Sequence, residues 1–163
     1  MNPIALLKRA SLKNILKIIF IGLKRPLFVT PTIEATRQCI KIATKNYGKL
    51  HHKNGRANAF RHAFWNYLIA KRCLKWANNY ETVLSWAKRI TDWHENAFPN
   101  NQLAKKMDFH NNAVGRMVFE QNLTTSEDEV LKLLKEMTKD SIKIDENSDL
   151  SMYKDQLVHI IDR

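Results

Sequence analysis

Apolar residues recur along most of this chain at intervals of three and four positions, the spacing that is typical of amphipathic helices. A first helix is predicted to end near Leu23–Lys24, because Pro26 disfavours helical geometry in the residue before it. A second helix is predicted from Thr30 as its N-cap, with Pro31 in the first helical position, to about Gly48.

The third predicted helix, over about Ala57–Ala77, is apolar on most of its sides, which indicates that other helices surround it. Four more helices are predicted: Tyr80–Glu95, one that begins between Gln102 and Met107 and reaches about Phe119, one that begins at a capping box of Ser126 and Glu129, and a last amphipathic helix over about Leu150–Ile161. No segment shows a convincing strand pattern. The sequence therefore predicts an all-α, single-domain bundle of about six to seven helices around a central apolar helix.

Positive charge is concentrated in the N-terminal third of the chain. The formal net charge is +11, and residues 1–56 contain 12 of the 27 Lys and Arg residues but one of the 16 acidic residues. Beyond residue 56 the two signs are balanced at 15 each. This asymmetry indicates either an anionic partner for the N-terminal third or a solvated, solubilising surface.

Residues 1–25 are interpreted as a basic amphipathic helix that precedes a helical domain of residues 26–163. An apolar stripe of Leu12, Ile15, Ile19 and Leu23 accompanies the basic residues Lys8, Arg9, Lys13, Lys17, Lys24 and Arg25. The apolar run Ile18–Leu23 is far shorter than the roughly 20 residues that a membrane span requires. An anionic membrane surface is therefore a predicted partner. Nucleic acid is disfavoured, because no recognised reader motif is present and the aromatic residues are not interleaved with the basic ones.

The two cysteines, Cys39 and Cys73, are isolated in the sequence and do not form a CxxC spacing. This arrangement favours reduced thiols over a disulfide. It indicates a cytoplasmic protein, which the basic N-terminal helix would place at the periphery of the inner membrane.

Three polar residues share one face of the central apolar helix. Asn58, His62 and Asn66 follow one another at intervals of four positions, with Trp65 beside them. Burying an imidazole or an amide without a partner costs on the order of 1–3 kcal/mol. We therefore expect polar groups from other helices to meet this face.

Two later segments supply such groups. His94 and Glu95 end the fourth predicted helix, and Asp108, Asn112 and Gly115 share a face of the fifth. A glycine in the middle of a helix costs roughly 1 kcal/mol relative to alanine. Gly115 therefore predicts the close approach of another backbone or of a ligand.

These side chains are predicted to converge on one polar site, with the members His62, Asn66, His94, Glu95 and Asp108. Arg61 or Arg116 would hold an anionic group there. The alternative is a hydrogen-bonded network that only fixes the register of the helices. His51 and His52, in a polar connecting loop, are expected to be exposed to solvent.

Three segments carry a resemblance to a known family. ANAFRHAFWN at 57–66, HE at 94–95 and MDFHNNAVGR at 107–116 resemble an uncharacterised family of bacterial helical domains. That family includes small stand-alone proteins and C-terminal segments of toxin-like secreted proteins. The similarity covers roughly residues 26–120. It implies membership of the family and no particular activity.

A looser similarity connects the chain to the HD-type metal-dependent phosphohydrolases, which place one His on a helix and a His–Asp pair at the end of a later helix. This similarity implies that His62, His94, Glu95 and Asp108 bind a metal, although the pair here is His–Glu and the final Asp comes early. Mixed imidazole and carboxylate ligands suit Zn, Mn or Fe, which would activate a water molecule for hydrolysis. His62, Glu95, Asn66 and Arg116 are the candidate catalytic residues.

Three functions remain open from the sequence. The first is a metal-dependent hydrolase that acts on a phosphate-bearing or similarly anionic substrate. The second is a metal-free enzyme in which His62 or His94 is a general base oriented by Glu95 or Asp108. The third is a non-catalytic module that binds a membrane surface or a partner protein and whose polar network is purely structural.

Overall fold

The computed structural model describes residues 10–98 and 100–162. Residues 1–9, which include Lys8 and Arg9 of the predicted basic helix, lie outside the described residues. The described residues form six α-helices: α1 Leu12–Leu23, α2 Pro26–Tyr47, α3 Arg56–Cys73, α4 Tyr80–Ala97, α5 Gln102–Gln121 and α6 Glu127–Lys139. Short 3-10 helices span Gly48–His52, Leu74–Trp76 and Leu150–Tyr153, and two-residue strands span Ile142–Lys143 (β1) and Val158–His159 (β2). The prediction of an all-α bundle is confirmed.

The central helix of the bundle is α3, as its apolar pattern predicts. Thirteen of its 18 residues are buried, so that no face of the helix is exposed to solvent. Helices α2 and α5 pack most extensively against it, and α4 and α6 cover the remaining sides. Phe60, Phe64 and Tyr67 stack along its length and fill the core. A helix that is buried on all sides places any polar side chain it carries inside the protein.

The crossing of α3 and α5 is unusually close at Gly115. A Cβ atom built on Gly115 would lie 2.1 Å from the carbonyl oxygen of Ala63 and 2.6 Å from its Cα. Real Cβ atoms essentially never come so near to another backbone. The sequence predicted a backbone or a ligand at this glycine, and the structure shows a backbone. The crossing brings the polar face of α3 against that of α5.

The start of α2 differs from the prediction. Thr30 is not its N-cap; the helix begins at Pro26 and continues through Pro31. Pro26 occupies the first helical position, where the missing N–H would have no partner within the helix. Pro31 lies one turn further along, so it removes a single backbone hydrogen bond near the helix end. The capping box of Ser126 and Glu129 at the start of α6 is confirmed.

The last predicted helix, over Leu150–Ile161, is wrong. Only Leu150–Tyr153 is helical, as a 3-10 turn, and β2 then pairs in parallel with β1. The reason is tertiary. The side-chain amide of Asn111 donates to the carbonyl of Val158 and accepts from its N–H, both at 2.9 Å. Asn111 thus pairs with the backbone of β2 as a neighbouring strand would, and local apolar periodicity does not predict this contact.

Helix α1 has an inner face and an outer face. On the inner side, Ile18 and Ile21 pack against the core, and the Trp93 indole donates to the carbonyl of Asn14 at 2.9 Å. The outer face of α1 exposes apolar residues by half or more: Leu12, Leu16, Ile19, Phe20 and Leu23. The predicted stripe is therefore mostly in contact with solvent, although Ile15 is half-buried. Across the described residues, every helix is too short or too polar to cross a bilayer.

Candidate metal centre

The His62 ring lies between two carboxylates at the crossing of α3, α4 and α5. Its Nδ1 is 3.4 Å from Glu95 Oε1, and its Nε2 is 3.3 Å from Asp108 Oδ1. All three side chains are buried. One potential ligand atom from each residue lies within 4.8 Å of the others. Separations of this size occur among the ligands of a single metal ion and also within a hydrogen-bonded network.

The contacts of Arg61 define the tautomer of His62. A guanidinium nitrogen of Arg61 lies 2.7 Å from His62 Nε2. Because a guanidinium can only donate, Nε2 accepts in the neutral form of the ring, and the proton of that form is on Nδ1. Nδ1 faces the side-chain oxygen of Asn112 at 3.1 Å as well as Glu95. A histidine whose N–H meets a carboxylate and whose other nitrogen is an acceptor has the tautomer of a metal-binding imidazole. Here Arg61 occupies that acceptor nitrogen.

Asn112 joins the three helices of the site. Its side-chain oxygen accepts from His62 Nδ1 and, at 2.7 Å, from Asn66, and its nitrogen donates to Glu95 Oε1 at 3.0 Å. Asn66 in turn donates to the carbonyl of His62 and accepts from Arg116 at 2.9 Å. Arg116 thus lies behind Asn66 and holds it in place. The sequence placed Asn112 on the face of Asp108 but did not indicate this central position.

Asp108 is the least satisfied member of the site. Asn100 donates to its Oδ2 at 3.3 Å. Its Oδ1 is buried and accepts no hydrogen bond from any residue that the structure describes. An unsatisfied buried acceptor costs about 1–3 kcal/mol. Such atoms in native proteins occur where an ordered water, an ion or a catalytic role compensates.

The two carboxyl groups differ in their electrostatic environment. Burial raises the pKa of Glu95, but the charge and hydrogen bond of His62 outweigh burial and lower it to about 2. Burial also raises the pKa of Asp108, and the nearby Glu95 charge adds to that effect, so its pKa stays above the usual value. Burial lowers the pKa of His62, but the charges of Asp108 and Glu95 outweigh burial, so that the pKa of the ring is raised above its usual value. A cation beside Asp108 would therefore stabilise its ionised form.

His94 is directed away from the other predicted ligands. It lies outside the cluster of His62, Glu95 and Asp108, and its ring meets Trp65 edge-on with centroids 5.2 Å apart. Burial lowers its pKa to about 4. The His94 ring lines a small cavity of about 70 Å³, and His62 lines the same cavity. The structure thus brings four of the five predicted residues into direct contact or one shared network and places His94 beside them.

The same cavity is lined by a residue that the sequence predicted to be exposed to solvent. His51 was expected to be exposed, but it is fully buried, with Nε2 3.0 Å from the Thr44 hydroxyl and its ring 3.9 Å from that of His52. The 3-10 turn Gly48–His52 carries the loop back toward α3 and causes this burial. His52 is exposed as expected. Burial lowers the pKa of His51 to about 4, so the His51 ring is neutral at physiological pH.

Comparison with known families gives a match over most of the chain. A family described as "Domain of unknown function (DUF6973)" matches residues 19–142. The matched part contains all three segments in which the family resemblance lies. No curated protein and no solved structure matches the chain. The similarities to HD-type phosphohydrolases and to toxin-like proteins remain predictions.

Proposed function

The chain belongs to the DUF6973 family of domains of unknown function, and we propose that it is a metal-dependent hydrolase acting on a phosphate-bearing or similarly anionic substrate. The observation that carries the proposal is the pair of acceptors at the centre of the site. Asp108 Oδ1, without a hydrogen-bond donor among the described residues, lies 3.3 Å from His62 Nε2. A Zn, Mn or Fe ion bound by both atoms would compensate the carboxylate oxygen and would take the place of Arg61 at Nε2.

Each residue of the site has a distinct role in this proposal. His62 and Asp108 bind the ion, and Glu95 holds the Nδ1–H of His62, which makes the imidazole a better ligand. Arg116 donates to Asn66, Asn66 donates to Asn112, and Asn112 donates to Glu95, so that this series of hydrogen bonds positions the carboxylate. The bound ion would supply a water molecule of lowered pKa for hydrolysis. Arg61 is half-buried beside His62, and its guanidinium would contact the anionic group of the substrate if Nε2 bound an ion instead.

Asp108→Asn is expected to remove metal binding without destabilising the fold. The asparagine keeps the shape of the side chain and removes a negative charge that burial and Glu95 disfavour but that His62 and Arg61 favour. For the unaltered protein, a metal at about 100 times its dissociation constant should add about 2.7 kcal/mol to the free energy of unfolding. For Asp108→Asn this increment should vanish, while the melting temperature without metal changes little, because the opposing electrostatic effects offset each other. Elemental analysis of untagged protein and thermal melts with and without Zn²⁺ or Mn²⁺ provide the measurements.

The matched control is Asp155→Asn, which changes an exposed acid on the surface and should leave the metal response unchanged. The proposal is wrong if the unaltered protein contains no metal and its melting temperature does not respond to Zn²⁺, Mn²⁺ or Fe²⁺. It is also wrong if Asp108→Asn binds metal as tightly as the unaltered protein does.

A metal-free hydrolase is the second candidate, and a specific contact favours it. Glu95 faces the N–H of His62 while Nε2 accepts from Arg61, which is the orientation of a general base held by a carboxylate. In this alternative Nε2 takes a proton from water once Arg61 turns toward an anionic substrate. Hydrolysis that persists after removal of all metal by a chelator would support it over the metal-dependent enzyme.

We also propose that α1 attaches the protein to anionic membranes, because its apolar outer face lies beside Lys13, Lys17 and Lys24. Leu16→Glu is expected to reduce binding to vesicles that contain anionic lipid, while its stability changes little because Leu16 is 58% exposed. Sedimentation with neutral and anionic vesicles at low and high salt measures the effect. Met152→Glu, an equally drastic change at an exposed residue of another element, is the control. Equal and negligible sedimentation with both kinds of vesicle would contradict membrane attachment.

A further inference from the structure

A second and much larger cavity lies between α1, α2, α3 and α4. It has a volume of about 610 Å³, which is within the range of about 300–1,000 Å³ typical of small-molecule sites. We call it the apolar groove. Its lining is mostly aliphatic and aromatic and includes Ile19, Leu23, Val29, Ile33, Trp86 and Trp93.

The apolar groove adjoins the cavity of the candidate metal centre. Thr36, Trp65 and His94 line both spaces. The Trp65 indole donates to the Thr36 hydroxyl at 2.9 Å, and its ring meets His94 edge-on. Beyond these residues the small cavity offers Arg61 and His62. The two spaces together are apolar along most of their length and carry the guanidinium of Arg61 at one end.

The indole N–H groups of the three tryptophans that line the groove are already paired. The indole N–H of Trp65 donates to Thr36, that of Trp86 to the Thr32 hydroxyl at 2.8 Å, and that of Trp93 to the Asn14 carbonyl at 2.9 Å. The three rings therefore offer apolar surface to an occupant. A peptide would bring backbone N–H and C=O groups that need partners, whereas an aliphatic chain needs none.

We propose that the apolar groove binds the aliphatic chain of an anionic amphiphile, an alkyl phosphate, whose head group faces Arg61 and His62. The inference rests on the proposed function, which supplies the anionic head group of the substrate. It adds that the substrate also has an aliphatic chain. The guanidinium of Arg61 complements the phosphate, and the groove complements the chain. Ile19 and Leu23 belong both to the groove and to the exposed outer face of α1, so an amphiphile can enter directly from a membrane surface to which α1 is attached.

The test on the unaltered full chain is a series of octyl, decyl and dodecyl phosphate, with inorganic phosphate as the head group alone. Binding is measured by calorimetry and by the fluorescence of the tryptophans that line the groove. The protein is treated with a chelator, and each probe is kept below its critical micelle concentration. We expect one molecule per chain and an affinity that rises roughly fourfold per added methylene. Dodecyl phosphate that binds no more tightly than inorganic phosphate would overturn the inference.

A pair of variants on α2 locates the bound chain. Ile33→Glu places a carboxylate in the groove and should weaken dodecyl phosphate binding at least tenfold. Leu27→Glu makes the same change at an exposed residue of α2 that does not line the groove, and it should stay within twofold of the unaltered protein. An equal loss in both variants would show adsorption to the surface and would contradict a bound chain in the groove.

This experiment is independent of the metal, because no metal is present and no turnover is measured. If binding is tight and depends on chain length but the protein does not respond to Zn²⁺, the proposed alkyl phosphate site is supported and the metal-dependent hydrolase is contradicted. If the protein responds clearly to Zn²⁺ but binding does not depend on chain length, the hydrolase is supported and the alkyl phosphate site is contradicted.

Discussion

Gly115→Ala is expected to destabilise the protein by more than about 3 kcal/mol, a large share of the 5–15 kcal/mol that typically stabilises a domain. The new methyl group would lie 2.1 Å from the carbonyl oxygen of Ala63. That atom belongs to the backbone of the central helix and cannot turn aside as a side chain can. Helices α3 and α5 must therefore separate, which disturbs the core and the polar site together. Chemical denaturation followed by circular dichroism measures the change.

The control for this prediction is Gly22→Ala in α1. It makes the same exchange inside a helix, but the nearest atom to the new Cβ is a side-chain methyl of Val29 at 3.3 Å. The gain in helix propensity, up to about 1 kcal/mol, should roughly offset the tighter contact. If Gly115→Ala were as stable as Gly22→Ala, the two central helices would not be held at the separation that the structure shows.

Asn112→Ala is expected to cost about 2–4 kcal/mol, the second largest effect. It removes the partner of His62 Nδ1, of Asn66 and of Glu95 at one time and leaves a small cavity. Each buried group without a partner costs about 1–3 kcal/mol, although Asn66 keeps its bond to the His62 carbonyl and Glu95 its contact with the ring. The free energy of unfolding in urea, with and without metal, provides the measurement.

Asn46→Ala serves as the matched control, since Asn46 is exposed and donates only within its own helix; it should change stability by less than about 0.5 kcal/mol. A near-neutral Asn112→Ala would show that Asn112 does not hold the three helices together. The contrast with Asp108→Asn is informative. The fold requires the asparagine, whereas the aspartate is the member whose removal the fold is expected to tolerate.

The parts of the fold that local sequence determines were predictable. The apolar surface of α3 predicted its central position, the capping box marked the start of α6, and Gly115 predicted a close contact. The β2 strand was not predictable, because it depends on Asn111, which lies 47 residues earlier in the chain. Burial of His51 likewise depends on how the loop turns, and its polar sequence gave no sign of it.

The site was predictable as a set of faces but not as a set of contacts. Spacing correctly placed His62 and Asn66 on one face of α3, and Asp108 and Asn112 on one face of α5. Which atom meets which depends on the angle at which the helices cross, and sequence spacing does not contain that information. Neighbouring residues of a helix point about 100° apart, and which of His94 and Glu95 reaches His62 depends on how α4 is rotated about its axis. Here only Glu95 reaches it.

The pairing of Asn111 with β2 also bears on the order in which the chain folds during synthesis. Every residue of the candidate centre lies on α3, α4 or α5, which are consecutive in the chain. Because chains fold from the N-terminal side as they emerge from the ribosome, these three helices can meet while the segment that contains β2 is still being made. Asn111 then presents an open donor and acceptor to which the arriving strand attaches. The helices of the centre can thus meet before the strand arrives, and Leu157 and Val158 then complete the core.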